Sequence, residues 1–534
     1  MTGGDMRLLF AFVALAFAVP AITQNAPKVE EASIGDLRAM MEAGTSSEAI
    51  TRAYLARIAA MDRQGPVLRA VITTNPDAIA QARASDARRE AGTALGPLDG
   101  IPILIKDNIE TKDPMPTTAG SLALKDNITH RDAPVVARLR AAGAVILGKA
   151  NLSEWANIRS THAMSGWSAV GGLVRNPYAL DRTACGSSSG SGAAVAASFA
   201  PVALGTETDG SVVCPASING LVGLKPTIGL VSRTHIVPIS HSQDTAGPMA
   251  KSVRDTAMLF SAMIGSDPAD AATKNADAHR KDYAAGLSDT ALQGLRIGVI
   301  RPEGMPAHLI DAYDRALGVL KAEGAVLVEV KEPKAEGLGD AEFVVLKTEL
   351  KADLNAYLAS TPPAVKTRTL ADLIVFDKAN AEAEMPFFAQ EIFEQAEATR
   401  GLSDPHYLAA RAMSLRLAGA EGIDAMLKAA KAVLLVEPTY AQAWLSDPVY
   451  GDQYSAPSSS TLPAVAGYPN LTVPMGLADG LPVGLSFIGT AYSEATLLGA
   501  GYDYEQASHA RVPPRYLPQA DVGPGLEGAA SGER

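Results

Sequence analysis

Five apolar residues in a row, IPILI at 101–105, stand between Gly100 and the polar pair Lys106-Asp107. So short an uninterrupted run, closed by a glycine and by charges, predicts a strand covered on both faces, because a half-exposed strand would alternate with polar residues. Beyond it the chain keeps a rhythm. Pro134 to Ala142 carries VVARL at helical spacing, Gly143 stops it, and AVILGK (144–149) reads as the next strand. Helix and strand in alternation define an α/β protein.

The rest of the chain fits that frame. Helices are expected over 34–42, over 47–61 with Ser46 or Ser47 as cap and Gly65-Pro66 as stop, and over 76–89, 191–198, 253–264, 309–323, 341–358 and 494–508. Strands are expected at 68–74, 201–211 (running into a polar turn), 296–299, 325–330, 433–436, 470–473 and 483–488. Residues 334–429 break the strand rhythm as a helical excursion that would cap a site, within one domain over 30–515. The glycine-rich end, 520–534, predicts a disordered tail. With 534 residues, 47% hydrophobic and 19% charged, the chain can bury a large core.

A net charge of -12 with no dense Lys/Arg stripe excludes a nucleic-acid partner. The 8 histidines form no HxxxH pair or Cys/His cluster, so no metal is expected, and no cofactor. Arg7, then LLFAFVALAFAV, then small residues with a cleavage position after Ala21, read as a signal peptide over 1–21, with Met6 an alternative start to Met1. The expected mature protein is periplasmic or secreted, without stable membrane association. Cys185 and Cys214 are the two cysteines; in an oxidising compartment they could pair, but a chain of this size does not need a staple, and the balance falls on free thiols.

CGSSSGSG, Cys185 to Gly192, contains G-x-S-x-G centred on Ser188 and so matches a nucleophile elbow. An elbow needs an apolar strand leading into it, and RNPYALDRTACG (175–186) is loop-like; its histidine would have to be His509, in a polar helix. A phosphate loop would need a lysine after the glycines, which is missing.

The longer stretch from Gly186 to Thr227, GSSSGSGAAVAASFAPVALGTETDGSVVCPASINGLVGLKPT, resembles the amidase signature family. So do GIPILIKDNI (100–109), NLSEWAN (151–157), GWSAVGG (166–172), SQDTAGPMA (242–250) and AVAGYPNLTVPMG (464–476), and the resemblance spans about Ile34 to Arg511. It implies a large mixed sheet covered on both faces by helices, and a Ser-Ser-Lys triad of Lys106, Ser187 and Ser211, with Ser211 as nucleophile 24 residues after Ser187. It also implies a cis peptide at Ser187, to which Gly186, Gly190 and Gly192 are suited, and backbone N–H groups at Thr208, Asp209, Gly210 and Ser211 that face an oxyanion. The family's usual Gly-Gly-Ser is here Asp209-Gly210-Ser211. Asp107, Ser188, Gln243 and Asp244 are expected as hydrogen-bonding support. Trp155 and Trp167 would line the cleft or fill the core.

The chemistry agrees with the residue types. An amide is a poor electrophile with a poor leaving group, so its hydrolysis needs an activated hydroxyl, a proton donor for nitrogen and a cradle for the oxyanion. A lysine at the end of a buried strand loses hydration, which favours its neutral amine and makes it a base. Ser187 would relay the proton from Ser211, without a histidine. Within the family the motifs are most similar to peptide amidases that act on C-terminal carboxamides. A general aliphatic, aryl or fatty-acid amide hydrolase is the alternative, and a non-catalytic amide- or peptide-binding protein is disfavoured by the intact triad.

Overall fold

The structure, a computed structural model, describes residues 26–455 and 457–520. The expected signal peptide and residues 521–534 of the expected tail lie outside them. Eleven strands form one sheet: β1 (Val71–Thr74), β2 (Pro102–Lys106), β3 (Val145–Ala150), β4 (Val202–Glu207), β5 (Val222–Lys225), β6 (Thr245–Ala250), β7 (Arg296–Ile300), β8 (Val326–Val330), β9 (Leu434–Pro438), β10 (Asn470–Ala478) and β11 (Leu481–Ile488). Their order is β1-β3-β2-β4-β6-β5-β10-β11-β9-β7-β8. The sheet is mixed, as the resemblance implied: β3, β2 and β4 run parallel, β9, β7 and β8 run parallel, and antiparallel pairs join the two groups.

Every residue of β2 is buried, which its unbroken apolar run required. Because β2 pairs in parallel with both β3 and β4, the carboxyl ends of the three strands open on one edge. That edge is where α/β sheets place their ligands. Lys106 ends β2 there, and Thr206 lies near the end of β4, two residues beyond the last β2–β4 partner, Leu204.

The helix Ser189–Ala196 is completely buried and lies against the sheet. Its composition makes this possible, since a Cβ at Gly190 would strike the carbonyl oxygens of Ala70 and Asn151. It begins two residues before the expected 191. The helices Ile34–Glu42 and Glu494–Ser508 coincide with their expected bounds. Between β8 and β9, the 334–429 segment folds as helices, the longest being Leu338–Ala359, around an apolar cluster that includes Leu354, Leu358, Leu370 and Phe393.

Strands β5 and β6 have no counterpart in the sequence reading. β6 carries Gly247-Pro248, which argues against an inner strand, yet it sits between β4 and β5 with Pro248 opposite Leu204. Burial on both sides overrides the local preference. The cysteine expectation is also corrected. Cys185 and Cys214 form a disulfide, Cα–Cα 6.0 Å apart, because the folding brings the CGSSSGSG loop beside the helix Val213–Ile218 that follows Ser211.

Candidate active site

Lys106 is fully buried, and its Nζ has three oxygen neighbours: Ser187 Oγ at 2.8 Å, Thr206 Oγ1 at 2.8 Å and the Thr206 carbonyl at 3.2 Å. Burial pushes its pKa well below the ordinary lysine value, against the pull of the Asp244 and Glu207 carboxylates. Thr206 Oγ1 also accepts from Asn108 Nδ2 at 3.0 Å.

The Gly186–Ser187 peptide is cis, as the resemblance implied, and the Ser187 carbonyl accepts from Ser153 N–H at 3.0 Å. The next residue ties this loop to the second motif. Ser188 N–H donates to the Ser211 carbonyl at 3.1 Å, while Ser188 Oγ donates to the Thr206 carbonyl and accepts Thr206 N–H, each at 3.1 Å. Ser188 thus clamps Thr206, Lys106's partner, to the serine loop. Ser211 is the open member, 8% exposed where Lys106 and Ser187 are at 0%, and its hydroxyl makes no hydrogen bond among the described residues. The disulfide closes the arrangement, with Cys185 two residues before Ser187 and Cys214 three after Ser211.

The turn 208–211 follows β4. The backbone N–H groups of Asp209, Gly210 and Ser211 donate to no acceptor among the described residues. Gly210 has φ +79°, and a Cβ there would collide with Tyr440 Oη, so the turn requires glycine. Glu207 fixes the next segment by accepting Val212 N–H at 2.7 Å and Val213 N–H at 3.0 Å. Burial raises its pKa, and the Lys225 charge opposes this.

Of the expected supports, Asp244 accepts from Thr208 Oγ1 at 2.6 Å and from the N–H groups of Ile239 and Ser240; burial nonetheless pushes it up to about 6. Gln243 Nε2 donates to the Thr208 carbonyl at 3.3 Å and to Glu342 Oε1 at 2.8 Å. Asp107 is not brought to the triad. It points away from Lys106, accepting from Thr118 and lying 3.8 Å from Lys149 Nζ, so it orders the following loop. Trp155 and Trp167 are core residues, packed edge-on against Phe393 and against Phe387 and Phe388.

A small pocket adjoins these groups, lined by Asn108, Thr206, Thr208 and Asp244 on its polar side and by Val237 and Ile239 on its apolar side. Thr206, Asn108, Glu207 and Glu342 are not singled out by the sequence reading. Thr206 leaves a signal, a hydroxyl that ends the apolar run VALG in the strand VALGTE; Glu342, far along the chain, leaves none. Among the described residues, the one grouping with metal-ligand geometry is His241, Glu349 and Asp353. Its buried carboxylate is already engaged: Glu349 accepts from Ser240 Oγ, Ser242 Oγ and Tyr407 Oη, fastening the helix Leu338–Ala359 to the 240–244 loop.

The amidase family model matches residues 49–498. The chain belongs to the amidase family. It is 51% identical to the native peptide amidase of Stenotrophomonas maltophilia, with a TM-score of 0.85 over 91% of this chain and 99% of that one. It is 39% identical over 501 residues to a protein of Arabidopsis thaliana described as a probable amidase, covering 92% of each chain. It is 36% identical over 493 residues to a protein of Arthroderma benhamiae described as a putative amidase, covering 86% of this chain and 79% of that one. The protein is an amide-hydrolysing enzyme of this family.

Proposed function

We propose that the enzyme hydrolyses the terminal carboxamide of peptides or amino-acid amides to carboxylate and ammonia, with Ser211 as nucleophile, Ser187 as relay and Lys106 as base. The observation that carries this is the fully buried Lys106 amine, 2.8 Å from Ser187 Oγ. A neutral amine has two N–H groups and one lone pair. With both N–H groups given to the Thr206 carbonyl and Oγ1, the lone pair faces the Ser187 hydroxyl.

Lys106 takes the Ser187 proton as Ser187 takes that of Ser211, and Ser211 Oγ attacks the amide carbon. The oxyanion is received by N–H groups of the 208–211 turn. As the tetrahedral adduct collapses, the relay returns the proton to nitrogen, ammonia leaves and an acyl ester remains on Ser211. Water repeats the sequence, giving up a proton to the relay and releasing the acid.

The similarity to peptide amidase supports the choice of a peptide carboxamide. Residues 1–21 support a periplasmic or secreted enzyme, and so does the Cys185–Cys214 disulfide, which persists in an oxidising compartment. Peptide amides, amino-acid amides and aliphatic amides are to be compared side by side, with the acid product identified by mass. Peptide or amino-acid amides should give the highest kcat/KM; clear preference for acetamide-like substrates would overturn the assignment.

A further inference from the structure

Asp209 stands two residues before Ser211, where the family pattern has glycine. Its Oδ2 accepts from Thr461 Oγ1 at 2.9 Å, while Oδ1 is buried and takes a hydrogen bond from none of the donors around it. A buried acceptor left in this way is costly unless something supplies a proton. The group facing it is Glu342, 7% exposed on the helix Leu338–Ala359, with its carboxyl within hydrogen-bonding reach of that of Asp209. Glu342 Oε1 already accepts from Gln243, whose amide also holds the Thr208 carbonyl. Two successive residues at the start of the 208–211 turn are therefore tied to the excursion helix, Thr208 through Gln243 and Asp209 through two facing acids.

Two carboxylates in contact cannot both be ionised at low cost. Burial first, and then the Asp209 charge, push Glu342 up to about 8. The other groups facing the pair do not remove this demand. The Ser460 and Thr461 hydroxyls and the Lys225 charge favour an ionised Asp209 against its burial. Glu207 and Tyr440 also feel the Asp209 charge, and among the described residues no cation acts on Glu342.

We propose that Asp209 and Glu342 share one proton and that this carboxyl–carboxylate hydrogen bond holds the nucleophile turn against the helical excursion, making Glu342 a positioning residue for amide hydrolysis. The inference rests on Ser211 being the nucleophile. Loss of the shared proton puts two negative charges together beside the turn, releases the excursion from it and misplaces the N–H groups that meet the oxyanion. Activity is then lost on the alkaline side at a pH set by Glu342 and not by the triad.

The test is the pH profile of kcat/KM between pH 6 and 10 for ammonia release from a peptide carboxamide, each enzyme normalised to its own value at pH 7. The wild type should fall about tenfold between pH 7 and pH 9. Glu342→Gln, whose amide keeps an N–H at every pH, should fall less than about threefold over that range. Thermal unfolding gives a second readout. The folded value of about 8 lies above the ordinary carboxyl value of 4.5, so the stability Glu342 contributes is full below the latter and lost as pH rises through the former. The wild-type Tm should therefore drop more between pH 6 and pH 9 than that of Glu342→Gln. Parallel profiles in both readouts overturn the pair. Undiminished ammonia release by Ser211→Ala would instead overturn the reading of the nucleophile, whatever the shape of the profiles.

Discussion

Replacing Thr206 by valine keeps the shape of the side chain and removes one oxygen, the one that accepts from Lys106 Nζ at 2.8 Å and from Asn108 Nδ2 at 3.0 Å. Burial lowers the Lys106 pKa and so favours its neutral amine at rest, from which a hydrogen bond is worth about 1 kcal/mol. In the transition state the amine has taken a proton, and a bond from a charged donor is worth about 1.5–3 kcal/mol. The difference, about 0.5–2 kcal/mol, is stabilisation present only in the transition state. Thr206→Val should therefore lower kcat about 2- to 30-fold with KM within about twofold. The orphaned Asn108 donor should lower stability by a further 1–3 kcal/mol or so. Ammonia release under saturating peptide carboxamide measures the first effect and denaturant unfolding the second. Thr206→Ser, which restores the hydroxyl, should recover kcat to within about threefold. A Thr206→Val enzyme with wild-type kcat, or a loss expressed wholly in KM, would refute the role given to Thr206.

Lys106→Met should lower kcat/KM by at least about 10³-fold while raising Tm, since an apolar side chain takes the place of a buried amine with a depressed pKa. The sign follows from proton counts: native Lys106 binds fewer protons than the unfolded residue below the ordinary lysine value. Wild-type stability therefore rises with pH through that window, and a Tm series against pH should be flatter in the variant. Joining Cys185 to Cys214 closes a loop with a sequence separation of 29, worth about 3–4 kcal/mol against the unfolded chain. Cys185→Ser with Cys214→Ser should lower stability by that order and kcat as well, and an unchanged Tm would show that the staple contributes nothing.

Much of the framework is legible because its causes are local. The helices 34–42 and 494–508 follow from apolar spacing and turn residues, and β2 follows from one apolar run. Strands β5 and β6 are not legible, since Gly247-Pro248 and Lys225 look unlike the interior of a sheet until burial on both sides is known. The same division runs through the site. Lys106, Ser187 and Ser211 lie in motifs whose combined spacing carries a family resemblance, whereas Thr206 and Glu342 gain their partners from strand register and from a helix more than a hundred residues downstream. Asp107 shows the limit of sequence adjacency: successive residues at a strand end point to opposite sides, so it meets Lys149 and not the serines. The disulfide is hidden for a similar reason, because chain size says whether a staple is needed, not whether two loops converge.

The mechanism stands or falls on Ser211, and no other serine of the two loops, carrying the acyl group. Rapid acid quenching of enzyme mixed with a peptide carboxamide, followed by peptide mapping with mass spectrometry, tests it directly. The acyl mass should be found on the peptide containing Ser211, at a level that rises before steady-state turnover, and should vanish in Ser211→Ala. An adduct on Ser187 or Ser188, or product formed by Ser211→Ala at the wild-type rate, would contradict the mechanism.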